Sequence, residues 1–301
     1  MRFPLVILIL ASCTVGEELE PSPPSQSEVA GFSCQPETCD TACSGGALAG
    51  DSLVTPVNRD DGLRADWTPA DLVKLPKNYK TGAGDLLRLR AATAFIRLAD
   101  AAYVAGHDIY CGSSYRSFGN QCSLFAGYAS NDGCQEANTY SARAGHSEHQ
   151  LGTTCDVFVN GTFLDAGTPA SNWLEAHAHE YGFAMSYPPG TQCYTLYQHE
   201  PWHYRYVGLQ AAQVLAEAEA EAGRRVSTHE LVAERIPPEL VPSIDSEADE
   251  TTDDVALLCK KYKVSWCAPG NRLVDCDGNQ VVQCGGACVS DPSPTVPDRC
   301  N

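Results

Sequence analysis

Two short stretches of the chain hold residue types that can bind a metal ion and move a proton. The first is Ser147-Glu148-His149-Gln150-Leu151-Gly152-Thr153-Thr154-Cys155-Asp156, and the second is Glu200-Pro201-Trp202-His203-Tyr204-Arg205-Tyr206-Val207-Gly208. They offer two histidines, His149 and His203, and the carboxylates of Asp156 and Glu200, near predicted strand ends. A catalytic zinc takes three nitrogen or oxygen ligands from the protein and keeps a fourth position for water. Two histidines and one carboxylate fill that set, and the other carboxylate supplies the general base that a hydrolase needs. Charge alone does not say which acid does which job. Asp156 lies in a strand-like run, Thr153 to Val159, on the face of Thr154 and Phe158. A short side chain held rigidly there suits a ligand. Glu200 is longer and stands beside the break at Pro201, where it can reach bound water.

The remaining histidines read as supporting residues. His146 and His199 adjoin the two motifs and are expected to be loop or supporting histidines rather than ligands. His177 and His179 fall on a predicted helix as surface or packing residues, and His107 and His229 attract no assignment. Cys155 neighbours Asp156 on the strand and so faces the opposite way. A disulfide behind the sheet is expected of it rather than metal binding.

The elements that must position these residues can be traced along the chain. Asp85 can cap a helix running to about residue 105, with Leu87, Ala91, Ala94, Phe95, Leu98 and Ala102 as its apolar stripe and Gly106 at its end. A strand-like run, Asp108 to Cys111, leads into Ser114-Tyr115-Arg116-Ser117. Thr153 to Val159 is β-branched and aromatic and reads as a strand. Asn172 with Glu175 resembles a capping box for a helix ending at Gly182. Cys193 to Tyr197 and Trp202 to Val207 read as strands interrupted at Pro201, and the Ala- and Glu-rich stretch from Gly208 to Gly223 reads as a helix. These elements predict an α+β fold. A small antiparallel sheet carries the zinc site, with helices 85–105, 172–181 and 209–222 around it and a small disulfide-rich C-terminal module.

Bulk properties bound the partners and the compartment. The 301 residues are 43% hydrophobic, enough for a sizeable core, and the net charge of −18 disfavours nucleic acid and anionic membranes. Met1-Arg2 followed by the apolar run Pro4 to Ala11 is an export signal, too short to span a bilayer. Leu10-Ala11-Ser12-Cys13 resembles a bacterial lipobox, which makes Cys13 a candidate lipidation site and a lipid anchor the expected membrane contact. Export turns the fourteen cysteines other than Cys13 into expected disulfides: Cys122 with Cys134, Cys155 with Cys193, Cys111 with one of Cys34, Cys39 or Cys43, and the six tail cysteines among themselves. The expected division is a signal at 1–13, a tether and Cys-containing segment at 14–55, and the main domain at 56–222. A helix end and acidic linker at 223–256 and a Cys-rich module at 257–301 complete it. The protein is then periplasmic or at the cell surface.

The two motifs together, Ser-x-His-x-x-Gly-x-x-x-Asp and Glu-Pro-Trp-His-x-Arg-Tyr-Val-Gly, resemble the LAS zinc metallopeptidases, and most nearly their VanY-type carboxypeptidase branch. Tyr115-Arg116-Ser117 with Gln121 looks like that branch's Tyr-Arg-Ser…Gln element, so the resemblance spans roughly residues 68–210. It implies that His149, Asp156 and His203 bind zinc and that Glu200 is the base. It implies that Arg116 meets the substrate carbonyl or oxyanion and Ser147 the substrate carboxylate, with Tyr115 and Gln121 also on the substrate side. Trp202 and Arg205 would support the metal shell. Two departures stand out: Thr154 where the family usually has Ala, and the cysteine load. The implied activity is a carboxypeptidase acting on the terminal D-alanine of peptidoglycan stem peptides, D,D or L,D. The alternatives are an endopeptidase or D-Ala-D-Ala dipeptidase on the same scaffold, or a zinc-containing cell-wall-binding protein without catalysis.

Overall fold

The structure, a computed structural model, describes residues 39–82 and 85–245, and the backbone of five short strands between residues 266 and 300. The expected signal at 1–13 with Cys13, and Cys34, lie outside the described residues. Strand β1 (Leu72–Lys74) pairs antiparallel with β2 (Leu86–Arg88), which runs directly into helix α1 (Leu89–Val104). Then come β3 (Ile109–Ser113), α2 (Phe118–Asp132) and α3 (Cys134–Tyr140). After a 3₁₀ turn at Glu148–Leu151 follow β4 (Thr154–Val159), β5 (Thr162–Phe163), α4 (Pro169–His177) and β6 (Phe183–Met185). The chain continues through the short α5 (Gln192–Thr195), β7 (His203–Tyr206), α6 (Leu209–Ala222), α7 (Thr228–Glu230) and α8 (Val241–Asp245). The main sheet runs β3-β4-β7-β6 with β5 on β4, and every pair is antiparallel. This is the mixed helix-and-sheet architecture expected. In the region of the expected C-terminal module, Trp266–Ala268, Arg272–Val274 and Val281–Gln283 form a three-stranded antiparallel sheet, and Cys288–Val289 pairs with Arg299–Cys300. The pairing of its cysteines lies outside the described residues.

Alternation along β4 separates core from site. Cys155 and Val157 face a core shared with α1, α4 and α6, built on Phe95, Ile96, Leu98, Leu174, Phe183 and Leu215. Asp156 and Phe158 face the other way. In β3 an irregularity between Cys111 and Ser113 shifts the register, so Cys111 stays on the core face while Ser113 pairs with Asp156. Gly112 sits at that point because the Phe158 ring lies over it, 2.1 Å from where a Cβ would be.

Several local expectations give way to longer-range partners. Asp85 does not cap α1. Leu86–Arg88 is drawn into a strand by β1, by the Ser114 hydroxyl accepting from the Leu86 N–H, and by the Gly152 carbonyl accepting from the Arg88 N–H. The helix after β5 starts earlier than the Asn172–Glu175 pattern suggests. Thr168 caps it by accepting from the Ser171 N–H, with Pro169 following at the first turn. Cys193–Tyr197 is not a strand but most of α5 with the turn that follows, where Leu196 closes the helix at φ 60°.

Both flanks expected to be loose are packed. Residues 46–55, inside the expected tether, bury Leu53 and Val54 in the core, and Leu48 backbone bonds tie the segment to Gly62 and Arg64. The first residues of the expected acidic linker form α8, which buries Ile244, while Asp245 accepts from the Leu53 N–H and Arg90 donates to the Ile244 and Asp245 carbonyls.

The disulfides also differ from expectation. Cys39 bonds Cys134, Cys43 bonds Cys122, and Cys111 bonds Cys155, with Cα separations of 5.9, 5.7 and 5.6 Å. Cys193 is disulfide-bonded too. Cys122 and Cys134 cannot pair locally. Twelve residues of mostly helical chain set them about 18 Å apart, well beyond disulfide reach. Cys155 takes Cys111 on the adjacent strand, behind the sheet as its orientation requires.

Candidate active site

The register of β4 against β7 places Asp156 directly opposite His203, so both side chains leave the sheet on one face. The 3₁₀ turn before β4 brings His149 to the same point, and Gly152 ends that turn at φ +71°, where a Cβ would press on Leu72. Ligand atoms of His149, Asp156 and His203 lie within 4.8 Å of one another, all buried. His149 Nε2 is 3.3 Å from Asp156 Oδ2, and His203 Nδ1 is 3.3 Å from Asp156 Oδ1 and 3.2 Å from Glu200 Oε2. The far nitrogen of His149, Nδ1, lies 2.7 Å from the Ser114 carbonyl, which fixes the ring with Nε2 as its free lone pair.

The donor set fits a metal dication. It is two imidazoles and one carboxylate, the pattern zinc favours. Asp156 Oδ1 is buried and accepts no well-aligned hydrogen bond, an oxygen that a cation would satisfy. Burial opposes charge on His203, yet the Asp156, Glu148 and Glu200 carboxylates more than reverse this and hold the ring well above the usual imidazole range. Three buried carboxylates face two guanidiniums here, Arg116 and Arg205, so the field that favours a proton on His203 favours a metal cation as well. Burial also opposes charge on Asp156, but His149 and His203 outweigh it and hold the carboxyl below its ordinary range.

The His149–Asp156–His203 cluster opens into a cavity of about 330 Å³, bounded on the sheet side by Asp156, Glu200, Trp202 and His203 and on the other by Gln121, Tyr128 and Tyr140. Burial raises Glu200 above the ordinary carboxylate range, against the opposing pull of His203, which suits a proton acceptor near neutral pH. Arg116 projects into the same cavity. Its Nη1 donates to Gln121 Oε1 at 2.7 Å and its Nη2 to Ser113 Oγ at 3.0 Å, while the Gln121 amide donates to the Ala142 carbonyl. Burial lowers the Arg116 pKa while the Asp156 charge draws it the other way.

Ten of the eleven expected site residues fall in the described chain, and the structure gathers most of them. His149, Asp156, His203, Glu200, Arg116, Gln121, Ser147 and Trp202 all line the cavity. Tyr115 does not. Its hydroxyl lies 3.5 Å from Thr68 Oγ1, away from the cavity. Arg205 stands behind the metal cluster, fully buried. Cys13 lies outside the described residues. His146 is a loop histidine as expected, bonded to the Asn58 carbonyl, and His199 borders the cavity without joining the cluster. The residues not anticipated are Glu148, Ser186, Thr228 and His229, which form a buried polar group behind His203. Glu148 could have been noticed as an acid inside the first motif. His229 stands in no pattern.

A family model, VanY, described as D-alanyl-D-alanine carboxypeptidase, matches residues 84–209. The LdcB LD-carboxypeptidase, solved in work on peptidoglycan recognition, superimposes with a TM-score of 0.57 at 30% identity, over 62% of this chain and 88% of that one. The chain belongs to the VanY family. VanYB in complex with D-alanine-D-alanine is a further structural neighbour, with TM-score 0.50 and 27% identity over 61% of this chain and 99% of that one. Among curated relatives, putative carboxypeptidase YodJ of Bacillus subtilis (strain 168) is 33% identical over 180 residues. That match covers 55% of this chain and 63% of YodJ, so this chain spans under two thirds of its relative. The VanY match contains every residue of the metal cluster with Glu200 and Arg116. It excludes the packed flanks at 46–55 and 223–245.

Proposed function

We propose that this protein is a zinc-dependent carboxypeptidase that removes the terminal D-alanine from peptidoglycan stem peptides, across a D,D or an L,D bond. The observation that carries the reading is the convergence of His149, Asp156 and His203 with Glu200 and Arg116 in one cavity. Membership of the VanY family and the D-alanine-D-alanine bound to VanYB support the substrate class.

Each residue has a role that its surroundings support. Zinc bound by His149, Asp156 and His203 would acidify a water and polarise the scissile carbonyl. Glu200 accepts the proton of the attacking water at a carboxylate oxygen and returns it to the leaving amine. Arg116, held by Gln121 and Ser113, presents a fixed guanidinium to the developing oxyanion or to the substrate's terminal carboxylate. Ser147, buried at the cavity edge, adds a hydroxyl for that carboxylate.

The disulfides support an oxidising compartment, and with it export to the periplasm or cell surface. No helix among the described residues is long and apolar enough to cross a membrane. Membrane contact through a lipid on Cys13 belongs to the same proposal.

The test is a stem peptide ending in D-alanine against its C-terminally amidated form, with products weighed by mass spectrometry. The free acid should lose its terminal residue, and the amide should be cut far more slowly because the cationic and hydroxyl donors lose their anion. Equal cleavage of the two would overturn the carboxypeptidase reading in favour of an endopeptidase.

A further inference from the structure

The polar group behind the His149–Asp156–His203 cluster has no part in the steps above, yet Glu148, Ser186 and Thr228 in it are more completely buried than the cluster itself. Glu148 is 0% exposed and Arg205 1% exposed. A lone carboxylate in such a place is costly unless its oxygens are satisfied. Both are. Oε2 accepts from the Ser186 hydroxyl and from His203 Nε2 at 3.1 Å, and Oε1 accepts from Arg205 Nη1 at 2.9 Å and the Thr228 hydroxyl at 3.1 Å.

We infer that Glu148 is the positioning residue of the metal site, fixing His203 in its metal-binding tautomer, and that the segment around Thr228, outside the VanY-matched span, holds Glu148 in place. This rests on the reading of His149, Asp156 and His203 as metal ligands. An ionised carboxylate only accepts hydrogen bonds. His203 Nε2 must therefore keep its hydrogen, so the nitrogen that a metal would take as its lone pair is Nδ1, which faces Asp156 and Glu200. His149 is set by a backbone carbonyl, which no side-chain change can remove. His203 depends on one side chain.

That side chain is in turn held from both ends of the domain. Arg205 Nη2 donates to the Leu53 carbonyl at 2.8 Å and the Thr55 carbonyl at 2.7 Å. Ser227 Oγ donates to the Ser186 carbonyl at 2.7 Å and accepts from the His229 N–H. The His229 ring packs on Tyr187, and Tyr187 packs on His203, with centroids 5.3 and 4.8 Å apart. The packed flanks thus complete a shell that the matched span alone leaves open.

Glu148→Gln tests this because it keeps the shape and removes the acceptor-only character. Whichever way the amide turns, its NH₂ meets donors, and His203 gains a reason to place its hydrogen on Nδ1. Two measurements on the full chain decide. Competition against a chromophoric chelator should show the Kd for Zn(II) rising about 10–100-fold in Glu148→Gln and less in Thr228→Val, with Thr228→Ser restoring it. Nitrogen-15 NMR of the metal-free protein, recorded at a pH high enough that His203 is neutral, should show its Nε2–H tautomer in wild type and loss of that tautomer's dominance in Glu148→Gln. Melting curves check folding. Should Glu148→Gln not fold, the Thr228→Val and Thr228→Ser pair carries the test alone. Wild-type zinc affinity in both Glu148→Gln and Thr228→Val, or an unchanged tautomer in folded Glu148→Gln, would overturn the inference. A wild-type protein that binds no zinc would sink the metal reading instead, and the tautomer measurement would still judge the positioning role.

Discussion

The sheet side of the cavity and the side formed by α2 and α3 are built by different means. On the sheet side every residue of β7 is buried, Asp156 and His203 face each other across a strand pair, and the hydrogen-bonded Glu148–Arg205 pair backs them. On the helical side, α2 buries only Gln121 and Phe125 along its fifteen residues, and α3 buries Ala137, Asn138 and Thr139. This wall has little apolar anchorage of its own. It is fastened by Cys43–Cys122 and Cys39–Cys134 to the segment before β1 and by Arg59, which donates to the Asn138 and Leu196 carbonyls and stacks on Tyr197. A metal site tolerates little displacement of its ligands, whereas a substrate wall need only keep its shape. The difference teaches that metal binding and substrate affinity should be separable by mutation.

The largest effect should come from breaking the sheet side. His203→Ala removes a ligand, and elemental analysis should find zinc falling from about one per chain to near zero, with activity falling alongside. Full zinc occupancy in this variant would refute the ligand assignment. Next, Glu200→Gln should retain zinc and melting temperature but lose turnover by about 10²–10⁴-fold, because an amide cannot accept the water proton. Near wild-type kcat would sink the mechanism while leaving the metal site standing. A third change targets the wall. Replacing Cys43 and Cys122 together by Ser should lower stability by about 2–4 kcal/mol. KM should rise because Gln121, the neighbour of Cys122, steadies Arg116. Zinc affinity should stay as in wild type, and a loss of zinc here would show that the two sides are one unit.

What could be read from the sequence divides along the same line. The gathering of His149, Asp156, His203 and Glu200, and the elements β4, β7 and α6, were legible because the strands alternate, the last helix is Ala- and Glu-rich, and the motif residues keep the spacing of the family they resemble. The wall and the flanks were not. Leu86–Arg88 follows a helical pattern, yet partners at β1, Ser114 and Gly152 make it a strand. Cys122 and Cys134 look like a local pair until the helix between them separates their ends. Residues 46–55 continue a Gly-containing stretch without periodicity and residues 236–245 carry the Pro content of a linker, but one buries Leu53 and the other Ile244, and they meet through Asp245. Each miss involves a partner far away in sequence, which periodicity and spacing do not encode. The Glu148 shell is the clearest case, since Leu53, Glu148, Arg205 and Thr228 come from four separate parts of the chain.

The smallest predicted effect sharpens the comparison most finely. Tyr128 on α2 and Tyr140 at the end of α3 meet edge to face, with ring centroids 5.3 Å apart, and both line the cavity. Tyr128 is 37% exposed, so little hydrophobic stabilisation is lost with it. Its ring does two things: it braces α2 against α3, and it gives an apolar face to whatever enters. An aromatic pair of this kind contributes about 0.5–1.5 kcal/mol beyond its buried area. Tyr128→Ala should therefore raise KM for the stem peptide by roughly 2–12-fold, the same energy expressed as a ratio. It should leave zinc affinity unchanged, and kcat nearly so, because Arg116 is held by Gln121 and Ser113 rather than by this ring. Tyr128→Phe keeps the brace and should behave as wild type. Steady-state kinetics on the three proteins, with chelator competition on each, make the check. If Tyr128→Ala weakened zinc binding as much as Glu148→Gln, the helical wall would be part of the metal site's support. The division between a rigid floor and a stapled wall would then have to be abandoned.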